Sequence, residues 1–61
     1  MTAAALFAIS WNWQRASDIW RRHGNDFAAR ICHRLAEDYY SIAEDIAIDE
    51  QITAEQHRRA S

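Results

Sequence analysis

The sequence has no proline and only one glycine in 61 residues. Breaks are scarce, so long uninterrupted helices are expected. Valine is absent and there are twelve alanines, which favours helix over strand. A single cysteine, Cys32, excludes an internal disulfide and suits a reducing compartment. No apolar run reaches the ~20 residues that cross a bilayer. The opening Met1–Ile9 stretch is apolar, but it is short and has no basic lead. A cytoplasmic chain with no membrane partner is expected. The length excludes a two-domain enzyme, a nucleotide-binding sheet or a barrel. Chains below ~70–80 residues seldom build a sufficient core alone, so a staple is expected, either a metal or a partner chain.

Gly24 is the strongest punctuation. Arg21, Arg22 and His23 precede it, and Asn25 and Asp26 follow. Cations in a last turn, Gly at C′ and then an Asn or Asp cap mark one helix stopping and another starting. The pattern predicts helices at about 3–23 and about 26–48. Joined by so short a turn, they form an antiparallel hairpin. Thr53 with Gln56 three residues on has the form of a capping box, so a short third helix is possible at about 53–60. The fold class is all-α, with residues 1–61 read as one small helical domain.

Leu6, Ile9, Trp13, Ala16, Trp20 and His23 recur at alternating spacings of three and four. Ala28, Cys32, Leu35, Tyr39, Ile42 and Ile46 do the same. Both stripes have the period of a helix–helix seam, and they are expected to face each other. Two aligned heptads, Leu35–Ser41 and Ile42–Ile48, strengthen the second stripe.

Apolar residues remain behind both stripes. Phe7 and Trp11 are one helical turn apart on the first helix, and Ala29, Ala36, Tyr40, Ala43 and Ala47 share a small-residue face of the second, which lets another helix approach closely. A helix apolar on two sides is usually packed on two sides. Phe7, Trp11, Ala36, Tyr40 and Ala47 are the expected apolar partner contacts. The hairpin is expected to complete a bundle, either by forming a homodimer or by docking on another protein.

Net charge is −2, but it is segregated. Residues 1–34 carry five Arg and two Asp, while residues 35–56 carry seven acids and no base. Acids near the end of the second helix oppose its macrodipole. Breaking a local rule in this way marks a candidate functional site. Glu37, Asp38, Glu44, Asp45, Asp49 and Glu50 are the expected acidic partner contacts, suited to a basic surface. Arg15, Arg21, Arg22, Arg30 and Arg34 gather toward the turn and are the alternative, a nucleic-acid-binding set.

Catalysis is not expected. His23, Cys32, His33 and His57 contain neither a His pair at i, i+4 nor a C-x-x-C, so no zinc site and no cofactor is expected. There is no glycine-rich phosphate loop, and one hairpin encloses no pocket of ordinary ligand size. A non-enzymatic protein-interaction module is the expected function. In size, acidity and helical patterning the chain is similar to phage-encoded inhibitors, including anti-CRISPR proteins that occupy basic nucleic-acid grooves. That similarity implies inhibition by covering a basic surface. In hairpin layout and in its Ile31-Cys32-x-x-Leu35 pattern, the chain also resembles the small RNA-binding four-helix regulators of plasmid copy number. That resemblance implies an RNA- or DNA-binding hairpin dimer.

Overall fold

The first helix starts where Thr2 leaves extended backbone and its hydroxyl accepts from Ala5 N–H at 3.2 Å. This satisfies one of the orphan donors of the first turn. The computed structural model describes residues 1–60. Helix α1 spans Ala3–Arg22 and α2 spans Asp26–Ala60, packed against each other as a helical hairpin. Gly24, at φ 79°, ends α1. Its N–H donates to Arg21 C=O at 3.1 Å, and Asn25 N–H donates to Trp20 C=O at 3.0 Å. Those two bonds are the paired closure of a Schellman turn. Asn25 Oδ1 then accepts from Ala28 N–H at 3.0 Å and caps α2.

Helix α2 does not stop near residue 48, and no separate third helix follows. It runs without a break to Ala60. No glycine or proline lies beyond Gly24. Asp49 and Thr53 stay inside the helix, where the strong helix formers around them outweigh the capping-box pattern. Residues 51–60 are all exposed.

The seam differs from the one that large-residue periodicity predicts. On α1 the buried residues are Ala3, Leu6, Ser10 and Ser17. On α2 they are Ala29, Cys32, Ala36 and Ala43. Both sets follow the spacing 3-4-7, and nearly all are small. Small side chains let the two backbones approach to the short end of the ~8–10 Å interaxial range. The serines exploit that approach. Ser10 Oγ donates to Ala36 C=O at 2.7 Å, and Ser17 Oγ donates to Ala29 C=O at 2.8 Å. Ser17 is fully buried, so its hydroxyl needs that partner.

The larger expected seam residues move to one flank. Ile9, Trp13, Ala16, Leu35, Tyr39 and Ile46 are half-buried, whereas Trp20 and Ile42 are exposed. His23 and Phe27, at the turn, are exposed as well. Bulk at the seam would push the helices apart and break both serine bonds.

The serine bonds also fix the register. Ser10 lies level with Ala36 and Ser17 with Ala29, so the start of α1 lies near Ala43. Beyond about Ala47, α2 projects past α1, and the molecule measures 56 × 13 × 12 Å. Glu50 reaches back from this projection, its Oε1 accepting from Ala3 N–H at 3.1 Å.

Candidate partner-binding groove

At ~100° per residue, Phe7, Trp11 and Gln14 lie on one side of the α1 seam. Glu37, Tyr40, Ser41 and Glu44 lie on the same side of α2. Antiparallel packing brings these flanks together around an open groove of about 470 Å³, with Ser10 and Ala36 in its floor. Contrary to the expectation that one hairpin has no pocket of ordinary ligand size, the volume is within the ~300–1,000 Å³ range of ligand sites, as an open groove between the helices and not an enclosed cavity. The floor is shallow because Ser10 and Ala36 are small, and that follows from the close seam.

The walls are aromatic and the rim is acidic. Phe7 meets Tyr40 edge to face, with centroids 5.3 Å apart and an interplanar angle of 69°. Such pairs add ~0.5–1.5 kcal/mol beyond burial and fix both rings. Trp11 is held by no such pair and is 66% exposed. Among the described residues that line the groove, none is an arginine. Glu37 Oε1 lies 2.8 Å from His33 Nε2. His33 Nδ1 in turn lies 3.3 Å from Gln14 Oε1. This chain bridges the two helices across the end of the groove and orients the Glu37 carboxylate.

The groove unites two sets that looked separate in the sequence. Phe7, Trp11, Ala36 and Tyr40 come from the expected apolar contacts, and Glu37 and Glu44 from the acidic ones. Phe7 flanks the seam instead of opposing it. Ala36 is buried beneath the groove. Ala47 continues the Tyr40 face one heptad on, half-buried. Ser10, Gln14 and Ser41 complete the lining; Gln14 could have been found seven residues after Phe7.

Other expected contacts lie elsewhere. Asp38, Asp45 and Asp49 fall on the opposite edge of α2 by the same wheel. Glu50 serves the N-terminus of α1, where its charge opposes the positive end of the dipole. The arginines do not make one face. Arg15 and Arg22 point outward from α1 beside a depression that also contains Asp18 and Ile19. Arg30 and Arg34 point outward from α2, on the far side of the hairpin. Arg21, exposed, sits 3.9 Å from the half-buried Asp18, a surface pair worth little in water.

Among the described residues, no three His, Cys, Asp or Glu side chains gather as a metal site. No helix there is long and apolar enough to cross a membrane. Comparison with family models, curated proteins and solved structures gives no match.

Proposed function

We propose that the chain is a non-catalytic protein-interaction module whose groove receives an arginine-bearing segment of a larger protein. The observation that carries this reading is the combination of exposed Trp11 with Glu37 and Glu44 around an apolar floor. A guanidinium is planar and weakly hydrated, so it can stack on an indole while donating to a carboxylate. Charge-assisted bonds of this kind are about twice as strong as neutral ones. An ammonium, being a compact and strongly hydrated charge, gains less from the same walls.

The specific form of this function is inhibitory. A hairpin that sits on a basic surface made for nucleic acid would exclude the nucleic acid, and its acidic second half would speed the encounter. Calorimetric titration with an arginine-rich peptide, a lysine-rich peptide and an acidic peptide tests the reading. The arginine peptide is expected to bind most tightly and the acidic one not at all. Equal binding of all three, or none, would remove the proposal. The alternative is binding of RNA or DNA through Arg15, Arg21, Arg22, Arg30 and Arg34. It predicts a salt-sensitive gel shift.

A further inference from the structure

The groove has a length and a register as well as a chemistry. Glu37 and Glu44 are seven residues apart on α2, so about 10.5 Å separates them along one edge at ~1.5 Å per residue. The opposing wall on α1, made by Phe7, Trp11 and Gln14, carries no charge. Charge is therefore offered on one side and aromatic surface on the other. From this layout we infer that the arginine-bearing segment is an α-helix with arginines seven residues apart, lying along the hairpin as a third helix. The inference rests on the reading of the groove as an arginine site and adds the form of the segment.

The floor favours a helix over an extended chain. Its polar group, the Ser10 hydroxyl, already donates to Ala36 C=O at 2.7 Å. An extended segment would enter this floor with backbone N–H and C=O groups that find no partner, and each costs free energy. A helix pairs its own. Residues i and i+7 of a helix lie within ~20° of each other and about 10.5 Å apart, so both arginines reach the α2 rim. A large apolar residue three or four positions after the first arginine then sits over Ser10 and Ala36, which are small enough to receive it. In a β-strand, residues about 10 Å apart are three positions apart and point to opposite faces.

The rim also fixes the register. On the same edge of α2, Arg30 stands seven residues before Glu37, and Gln51 seven after Glu44. Sliding the occupant one heptad toward the turn sets an arginine against Arg30. Sliding it the other way exchanges a carboxylate for a neutral amide. One register pairs both arginines. His33 Nε2 holds Glu37 Oε1 at 2.8 Å, and a carboxylate has acceptor sites left for a guanidinium. This chain has arginines at the same spacing, Arg15 and Arg22, but Asp18 shares their surface. A second copy would bring that acid to the acidic rim, so a helix of another protein fits better.

Calorimetric titration of the full chain with three peptides tests this. Each has two arginines and one leucine in the same alanine–glutamine host, with the arginines seven, five or three positions apart. The seven-residue spacing should bind roughly tenfold more tightly than the others, as a second charge-assisted bond implies. That peptide should also gain helicity on binding, read by circular dichroism. In a helix, five positions turn the second arginine ~140° away, and three carry it only about 4.5 Å along, short of the second carboxylate. The variant Glu37→Arg with Glu44→Arg, at two exposed positions, should lose this peptide and bind its counterpart with glutamates in place of arginines. Peptides that bind alike while the Trp11 indole responds would keep the groove as an arginine site and overturn the helical form. Tightest binding at three positions, without helicity, would overturn it in favour of an extended segment. Failure of all three peptides would remove both readings. Self-association of the chain that Arg15→Glu with Arg22→Glu abolishes would give the groove to a second copy and also overturn the inference.

Discussion

At the scale of single residues, size matters more than hydrophobicity along the seam. Ser17 is fully buried and donates to the Ala29 carbonyl. That carbonyl also accepts its own helical bond, so losing the hydroxyl leaves no orphan acceptor. Ser17→Ala should therefore cost at most the ~0.5–1.5 kcal/mol of one net hydrogen bond. Ser17→Leu adds apolar bulk where the backbones are closest. It should cost more, about 1–3 kcal/mol through overpacking. Urea unfolding of both variants checks the order, and a stabilising leucine would contradict a small-residue seam. This feature was poorly legible in the sequence. Hydrophobic periodicity follows large side chains, so it assigned the interior to Trp13, Trp20, Leu35 and Ile42. The repeats Ala3–Ser10–Ser17 and Ala29–Ala36–Ala43 were present at seven-residue spacing, but serine is not counted as core and alanine is counted weakly. Their meaning depends on the distance between the backbones.

At the scale of elements, the turn was the clearest signal. Gly24 is the one glycine, with cations before it and two cap residues after it. The left-handed φ of 79° is what a Schellman closure demands. An added Cβ at Gly24 would meet nothing within 4 Å. The cost of Gly24→Ala is therefore confined to the backbone, about 1–2 kcal/mol. Gly24→Asn should cost less, because asparagine tolerates this conformation. Thermal or denaturant melting checks that order; equal losses would show that something other than backbone conformation acts there. The end of α2 was less legible. Asp49 and Thr53 have the chemistry of caps, yet a cap works only if the chain before it leaves the helix. Nothing between Asp26 and Ala60 makes it do so. Glu50 has a similar history. In sequence it belongs to an acidic run, but the register fixed by Ser10 and Ser17 brings it to the first amide of α1. Glu50→Ala should lower stability by about 0.5–1 kcal/mol, more at low salt than at high salt. No salt dependence in that loss would argue against the dipole contact.

At the scale of the whole molecule, the hairpin has two unlike sides. One presents an aromatic groove with a carboxylate rim, and the other an apolar face that includes Trp20, Ile31 and Ile42. The expectation of a surplus apolar surface was readable from sequence, because no two-helix seam can hide every large residue of two helices that are apolar on more than one side. Which residues shared a side was not readable. Phe7 and Tyr40 are 33 positions apart, and only the antiparallel register makes them neighbours. The joining of the apolar and acidic sets into one groove has the same origin. Charge reversal at Glu37→Arg with Glu44→Arg should abolish binding of an arginine-rich peptide and leave helicity unchanged, since both side chains are exposed. Titration and circular dichroism of the double variant check both halves. Binding that survives the reversal would place the contact elsewhere.

The most direct test of the groove is nuclear magnetic resonance of the three tryptophan indoles during titration with an arginine-rich peptide. The Trp11 indole N–H should shift progressively and saturate, while that of Trp20, on the opposite flank, stays in place. A Trp11 signal that does not move, or equal shifts at Trp11 and Trp20, would contradict the account.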